Sequence, residues 1–177
     1  EQSLDMPLEE AFLSFDDEVL ASASIAQVHP AVLKDGREVV VKIVRPGIDR
    51  IIRKDMDVLL MLARLADRYW SDAPRIKPVK VVQEFEKTLF NELDLVREAA
   101  NASELRRHFL DSDDLYVPEI HWDYCKQNIL VIERIYGIPV TDMAQLRAHG
   151  IDLEVLSRKG VEVFFSQVYD YNFFHAD

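Results

Sequence analysis

Lys34-Asp35-Gly36-Arg37-Glu38-Val39-Val40-Val41-Lys42-Ile43-Val44-Arg45-Pro46-Gly47 is the stretch on which the fold turns. Asp-Gly is a strong short hairpin signal, because glycine takes the positive φ that a tight turn needs and aspartate tolerates its neighbourhood. The turn predicts that two antiparallel strands meet there, one closing the stretch of small and β-branched residues from Val19 to Leu33 and one running from Glu38 to Val44. The second is an almost unbroken apolar run, expected to be buried on both faces, and Arg45-Pro46-Gly47 ends it. Its single interruption is Lys42, whose ammonium is costly to desolvate without an anionic partner.

Upstream, Leu8, Ala11, Phe12 and Phe15 recur at helical spacing and predict a short opening helix that Asp16-Asp17 ends. Downstream, Ile48, Ile51, Ile52, Met56, Leu59, Leu60, Ala63, Leu65 and Ala66 form a wide helical stripe reaching Trp70. Pro78 suits a first helical position, and Val81, Val82, Phe85, Leu89, Leu93, Val96 and Ala100 predict one continuous second helix to about Phe109. Strands are expected over Tyr116–Trp122 and Asn128–Ile135, then helices over Thr141–His149, with Gly150 as cap, and Asp152–Tyr169. This order of elements is α+β rather than βαβ.

Composition narrows the function classes. The 177 residues are 49% apolar with a net charge of −11, acidic and basic residues interleaved, which argues against nucleic acid as a partner. The single cysteine, Cys125, excludes an internal disulfide and fits a reducing cytoplasmic compartment. No Cys/His cluster suggests a metal site within this segment, and no run reaches the roughly 18 apolar residues of a membrane span. Phe173-Phe174-His175-Ala176-Asp177 follows an apolar helical run directly, so the sequence reads as part of a longer chain.

Three groups of residues carry potential chemistry. Ala21-Ser22-Ala23-Ser24-Ile25-Ala26-Gln27-Val28 joins small residues across a strand, a turn and a strand, which lets backbone N–H groups approach an anion; tight packing of a small-residue hairpin is the alternative. Lys42 needs a carboxylate, or else snorkels to water, and Glu92, Asp94 and Glu98 are on offer. On one continuous helix Asp94 and Glu98 lie about 40° apart and Glu92 about 120° from Glu98, so the three cannot all serve one lysine. Glu133 and Ile135, at the end of the last strand, leave backbone groups where a base edge can pair. His175 and Asp177 close the chain; an aspartate there can orient or deprotonate a nucleophile.

Taken together, these segments resemble the UbiB family of atypical kinase-like proteins. Ala21 to Val28 is similar to the family's alanine-rich replacement for the kinase glycine-rich loop, and Val41-Lys42-Ile43-Val44-Arg45-Pro46-Gly47 to its lysine strand. Glu92-Leu93-Asp94 matches its E-x-D element, Val131 to Gly137 its hinge, and Phe173 to Asp177 the opening of its catalytic loop. The resemblance implies a kinase-like small lobe over residues 1–136 and the hinge and start of a helical large lobe over 137–177. It implies ATP and Mg2+ as ligands, with Lys42, Glu98 and Asp177 catalytic, Ala21 to Val28, Lys42, Glu133 and Ile135 at the nucleotide, and Glu92 and Asp94 regulatory.

It further implies a role in ubiquinone biosynthesis at the cytoplasmic face of a bacterial inner membrane, with ubiquinone-biosynthesis proteins or lipid intermediates as partners and the membrane reached through segments outside this one. The family's K-x-G-Q segment and its later metal ligands are not in this sequence, so the chain alone is expected not to transfer phosphate. A non-catalytic scaffold that binds nucleotide is the alternative.

Overall fold

A computed structural model describes Leu4 and residues 6–173. Its frame is an antiparallel sheet. β1 (Phe12–Phe15), β3 (Ala26–Leu33), β4 (Glu38–Val44) and β5 (Ile129–Glu133) lie side by side in that order, and the two-residue β2 (Ala21–Ser22) pairs with β3. The β3–β4 hairpin turns where Asp-Gly predicts it, with Gly36 at φ 88° and its N–H donating to the Leu33 carbonyl.

The alternation of β4 sorts its side chains. Val39 and Val41 are fully buried with Leu33, Ile129, Val131 and Phe12 in the core cluster on one face of the sheet. Lys42 lies on the opposite face, between Val28 and Leu130 in register. That second face is only half-buried at Val40, Lys42 and Val44, which corrects the expectation of a strand buried on both sides. An apolar run shows that burial is tolerated everywhere along it, not that a partner covers each face.

The opening helix is also corrected. α1 (Leu8–Ala11) is a single turn, and Phe12–Phe15 is β1. The register slips between Phe12 and Ser14, so Phe12 stands opposite Leu33 and Phe15 opposite Ala31, residues of one face. This bulge puts residues i and i+3 on the same side and imitates helical spacing. The two rings meet at 5.7 Å.

α2 (Ile48–Tyr69) runs as expected from Gly47, whose φ of 76° starts the first turn. Its wide stripe divides: Ile52, Met56 and Ala63 are buried, while Ile51 and Leu65 are exposed. α3 (Ala73–Ile76) links it to α4 (Pro78–Glu92), which packs along α2. The long second helix breaks, however, and α5 (Leu95–His108) starts anew. Asp94 is the cause, since its carboxylate accepts the Val96 N–H at 3.2 Å and caps the new helix.

α5 lays Leu95 and Ala99 on Leu130 of β5 and on Ile120. Full burial of a leucine such as Leu95 contributes roughly 1.5–3 kcal/mol. The Leu95 N–H also donates to the Gln127 carbonyl at 2.8 Å, which fixes the start of α5 to the turn before β5.

The strand expected over Tyr116–Trp122 is reduced to one bridge among the described residues, Ile120 to Ile132, and Trp122 already starts a 3-10 turn (Trp122–Tyr124). Pro118 lacks the N–H that a continuous ladder needs. Beyond β5, α6 (Met143–Ala148) is capped by Asp142 and α7 (Leu153–Phe165) by Asp152. The last expected turn of α7 widens into a π-helical turn over Ser166–Asp170. Tyr171 then stacks on His108 at 4.3 Å, tying this end to α5.

Candidate nucleotide site

The sheet alternation turns Lys42 toward α5, and the heptad-like placement of Leu95, Ala99 and Ala102 against the sheet leaves Glu98 beside them at the rim. The two side chains meet there. Lys42 Nζ donates to Glu98 Oε1 at 2.7 Å and to Oε2 at 2.8 Å. Lys42 keeps 28% and Glu98 40% of its side-chain exposure, so the pair is neither sealed in the core nor freely hydrated. A bound anion can therefore still reach the ammonium from the solvent side.

Glu92 and Asp94 stand elsewhere. With the helix broken at Leu93, the 100° rule no longer relates them to Glu98. Asp94 spends its carboxylate on the α5 cap, and Glu92, at the end of α4, is exposed with no side-chain partner among the described residues. Neither is held by an arginine: Arg97 donates instead to Asn91 Oδ1 at 2.6 Å.

The alanine-rich segment divides as β2, a turn at Ala23-Ser24-Ile25, and the start of β3, with Val28 next to Lys42 across the ladder. The turn closes through the Ala23 N–H, which donates to the Ala26 carbonyl at 2.9 Å. Among the described residues the N–H groups of Ser24 and Ile25 donate to nothing. Two consecutive free N–H groups in a tight turn are the elements of an anion nest.

At the far end of the sheet, the Glu133 carboxylate braces the preceding segment. It accepts the Tyr116 hydroxyl at 2.6 and 2.7 Å and the Glu119 N–H at 3.0 Å. The Tyr116 hydrogen bond, followed by the Glu119 N–H, holds this carboxyl below the usual range. The Arg134 N–H is taken by the Glu38 carbonyl and the Tyr136 hydroxyl by the Glu38 carboxylate, whereas the Ile135 N–H is free among the described residues. Asp177 lies outside the described residues.

Sequence reasoning missed Arg45. Its guanidinium reaches back to Ser22 and Ala23, a contact that nothing in the local pattern announces. His121, without ligand spacing in the sequence, is a packed histidine, held below the ordinary imidazole range by its burial.

A lysine and glutamate joined between strand and helix, in a sheet whose first hairpin is a small-residue turn with free N–H groups, is the arrangement of a kinase small lobe. The sequence model of the ABC1 atypical kinase-like domain matches residues 1–177. The chain belongs to that family. It is 56% identical over 177 residues to "Probable protein kinase UbiB" of Cellvibrio japonicus, covering all of this chain and 32% of that protein. The same name is carried by a protein of Azotobacter vinelandii, 56% identical over 177 residues, covering all of this chain and 33% of that protein. The chain thus spans about a third of the length of these curated relatives.

Among solved structures it resembles Rv3197 of Mycobacterium tuberculosis, determined as a complex with erythromycin. The TM-score is 0.66 at 33% identity, over 84% of this chain and 36% of that one. The ABC1 family match and the shared fold make the antiparallel sheet with its helices a kinase-like α+β unit.

Proposed function

We propose that this chain is the nucleotide-binding part of an atypical kinase or ATPase that uses ATP with Mg2+ in support of ubiquinone biosynthesis at the cytoplasmic face of the inner membrane. The carrying observation is the Lys42–Glu98 pair, half-exposed on the sheet face that also bears Val28. The residues fit a nucleotide. Lys42 offers a cation to phosphate oxygens while Glu98 keeps its ammonium in place, and the Ser24 and Ile25 N–H groups offer neutral donors. The Ile135 N–H offers a donor to a base edge.

When bound, ATP and Mg2+ supply the transferable phosphoryl group and the neutralisation of its charge. Lys42 lowers the cost of bringing phosphate oxygens to the sheet, and Glu98 keeps the lysine from folding back along its own strand. By its place in the sequence, Asp177 is the carboxylate that would orient an acceptor. The pathway assignment is supported by the name that the similar proteins carry. No helix of the described residues is long and apolar enough to cross a membrane.

The test is nucleotide binding and Mg2+-dependent ADP release by the full-length protein beside its Lys42→Met variant. Loss of at least about 100-fold in turnover is expected, since the lysine acts on the charge of the transferring group. Unchanged turnover in the variant would overturn the assignment of Lys42. Nucleotide binding without turnover in the wild type would favour a scaffold over an enzyme.

A further inference from the structure

We infer that Arg45 is a positioning residue that latches the alanine-rich turn in the conformation presenting its free N–H groups; the inference rests on the proposed nucleotide reading. Arg45 follows the last residue of β4, three positions after Lys42, and its main chain and side chain both hold the same turn. The Arg45 N–H donates to the Ile25 carbonyl at 2.9 Å. Its Nη2 donates to Ser22 Oγ at 2.6 Å and to the Ala23 carbonyl at 3.3 Å, with Nε at 3.4 Å from the same carbonyl.

The consequence follows from the peptide unit. A trans amide is planar and points its C=O and N–H to opposite sides. Drawing the Ala23 carbonyl onto the guanidinium therefore aims the Ser24 N–H away from Arg45. Ser24 and Ile25 follow in the same turn, and their N–H groups donate to nothing among the described residues. In a glycine-rich loop, many backbone orientations are open to the turn and a ligand selects one. Alanine and serine narrow that choice without fixing it. Arg45 supplies the remaining constraint, with a planar fork that one guanidinium can lay across a hydroxyl and a carbonyl together.

Lysine retains the charge but not the fork, and this separates a latch from simple attraction between a cation and phosphate. Ser22 is the second handle. Its hydroxyl oxygen accepts from Arg45, so Ser22 supports the turn.

The experiment uses the full-length protein and its Arg45→Ala, Arg45→Lys and Ser22→Ala variants. Hydrogen exchange of the segment over residues 20–28 is followed without nucleotide, and the Kd for a fluorescent ATP analogue with Mg2+ is measured separately. Arg45→Ala should speed exchange of this segment severalfold and raise Kd about 5- to 10-fold, with turnover at saturating nucleotide little changed. Ser22→Ala should give the same changes in exchange and Kd at smaller size, and Arg45→Lys should restore neither quantity fully.

Unchanged exchange in Arg45→Ala would show that no latch exists. Faster exchange with unchanged Kd would confine Arg45 to a structural role and overturn positioning, and full recovery of Kd by lysine would reduce the effect to charge. If exchange quickens as expected while the wild type binds no nucleotide, the proposed function fails instead, and the positioning role fails with it.

Discussion

Breaking the Lys42–Glu98 pair tests the joint between sheet and helix directly. At a separation near 3 Å, two unit charges attract by about 1.4 kcal/mol in water and roughly 5 kcal/mol at an effective dielectric constant of 20, before desolvation is counted. Exposed pairs retain only about 0.2–1 kcal/mol, while removing one partner of a sealed pair costs about 3–5 kcal/mol. With 28% and 40% exposure and both carboxylate oxygens engaged, this pair falls between those limits. A coupling of about 1–2 kcal/mol is expected.

The assay is a double-mutant cycle of Lys42→Met, Glu98→Gln and the double variant in the full-length protein, read by urea unfolding. The cycle removes contributions each side chain makes alone, such as the apolar stem of Lys42 packing on the sheet. Raising salt should shrink the coupling only in part, because the sheet and α5 shield one side of the pair. A coupling below about 0.3 kcal/mol, within the scatter of independent sites, would refute the claim that this contact fixes α5 against β4.

Three further outcomes follow from individual residues. Asp94→Ala removes the α5 cap and should destabilise by about 1 kcal/mol in chemical denaturation, whereas Asp94→Asn should stay within a few tenths; equal losses would show that charge rather than capping matters. Asp142 has its carboxyl lowered by the Gln145 backbone N–H first and the Gln145 side chain second. A depressed folded value means its stabilisation is complete above the ordinary 3.8 and fades as pH falls through the folded value. Asp142→Asn should therefore flatten the acid limb of the stability curve below about pH 4, and an unchanged limb would contradict the cap. Burial raises the Cys125 thiol, whose sulfur also lies 3.4 Å from the His121 carbonyl, so alkylation at pH 7.5 should run about 10-fold slower in the native protein than in urea; equal rates would place the thiol at the surface.

The hairpin and the lysine strand were legible because their signals are local. Asp35-Gly36 determines a turn from two residues, and a lysine inside an apolar strand announces a need for an anion whatever surrounds it. Phe12 and Phe15 misled for an equally physical reason: a bulge in β1 makes alternation look like helical spacing, and only the partner strand β3 reveals it. Tyr116 to Trp122 has the composition of a strand, but Pro118 lacks a ladder N–H and the segment pairs with β5 only at Ile120, with Tyr116 and Glu119 held by the Glu133 carboxylate. Arg45 was invisible because its partners lie 22 and 23 residues away, across a turn whose shape the sequence leaves open.

The break at Asp94 shows how far such a miss can propagate. On a single helix Asp94 and Glu98 would share a face, and either could serve Lys42. Once Asp94 folds back to cap α5, its carboxylate is occupied and Glu98 becomes the acid of α5's first turn nearest the sheet face that holds Leu95 and Ala99. The same break leaves Glu92 at the end of a different helix, with no side-chain partner among the described residues. One local hydrogen bond thus separates the acid that holds Lys42 from the acid left exposed. A capping aspartate is a stronger clue to the partner of a strand lysine than the angular spacing of carboxylates, because capping decides which spacing applies.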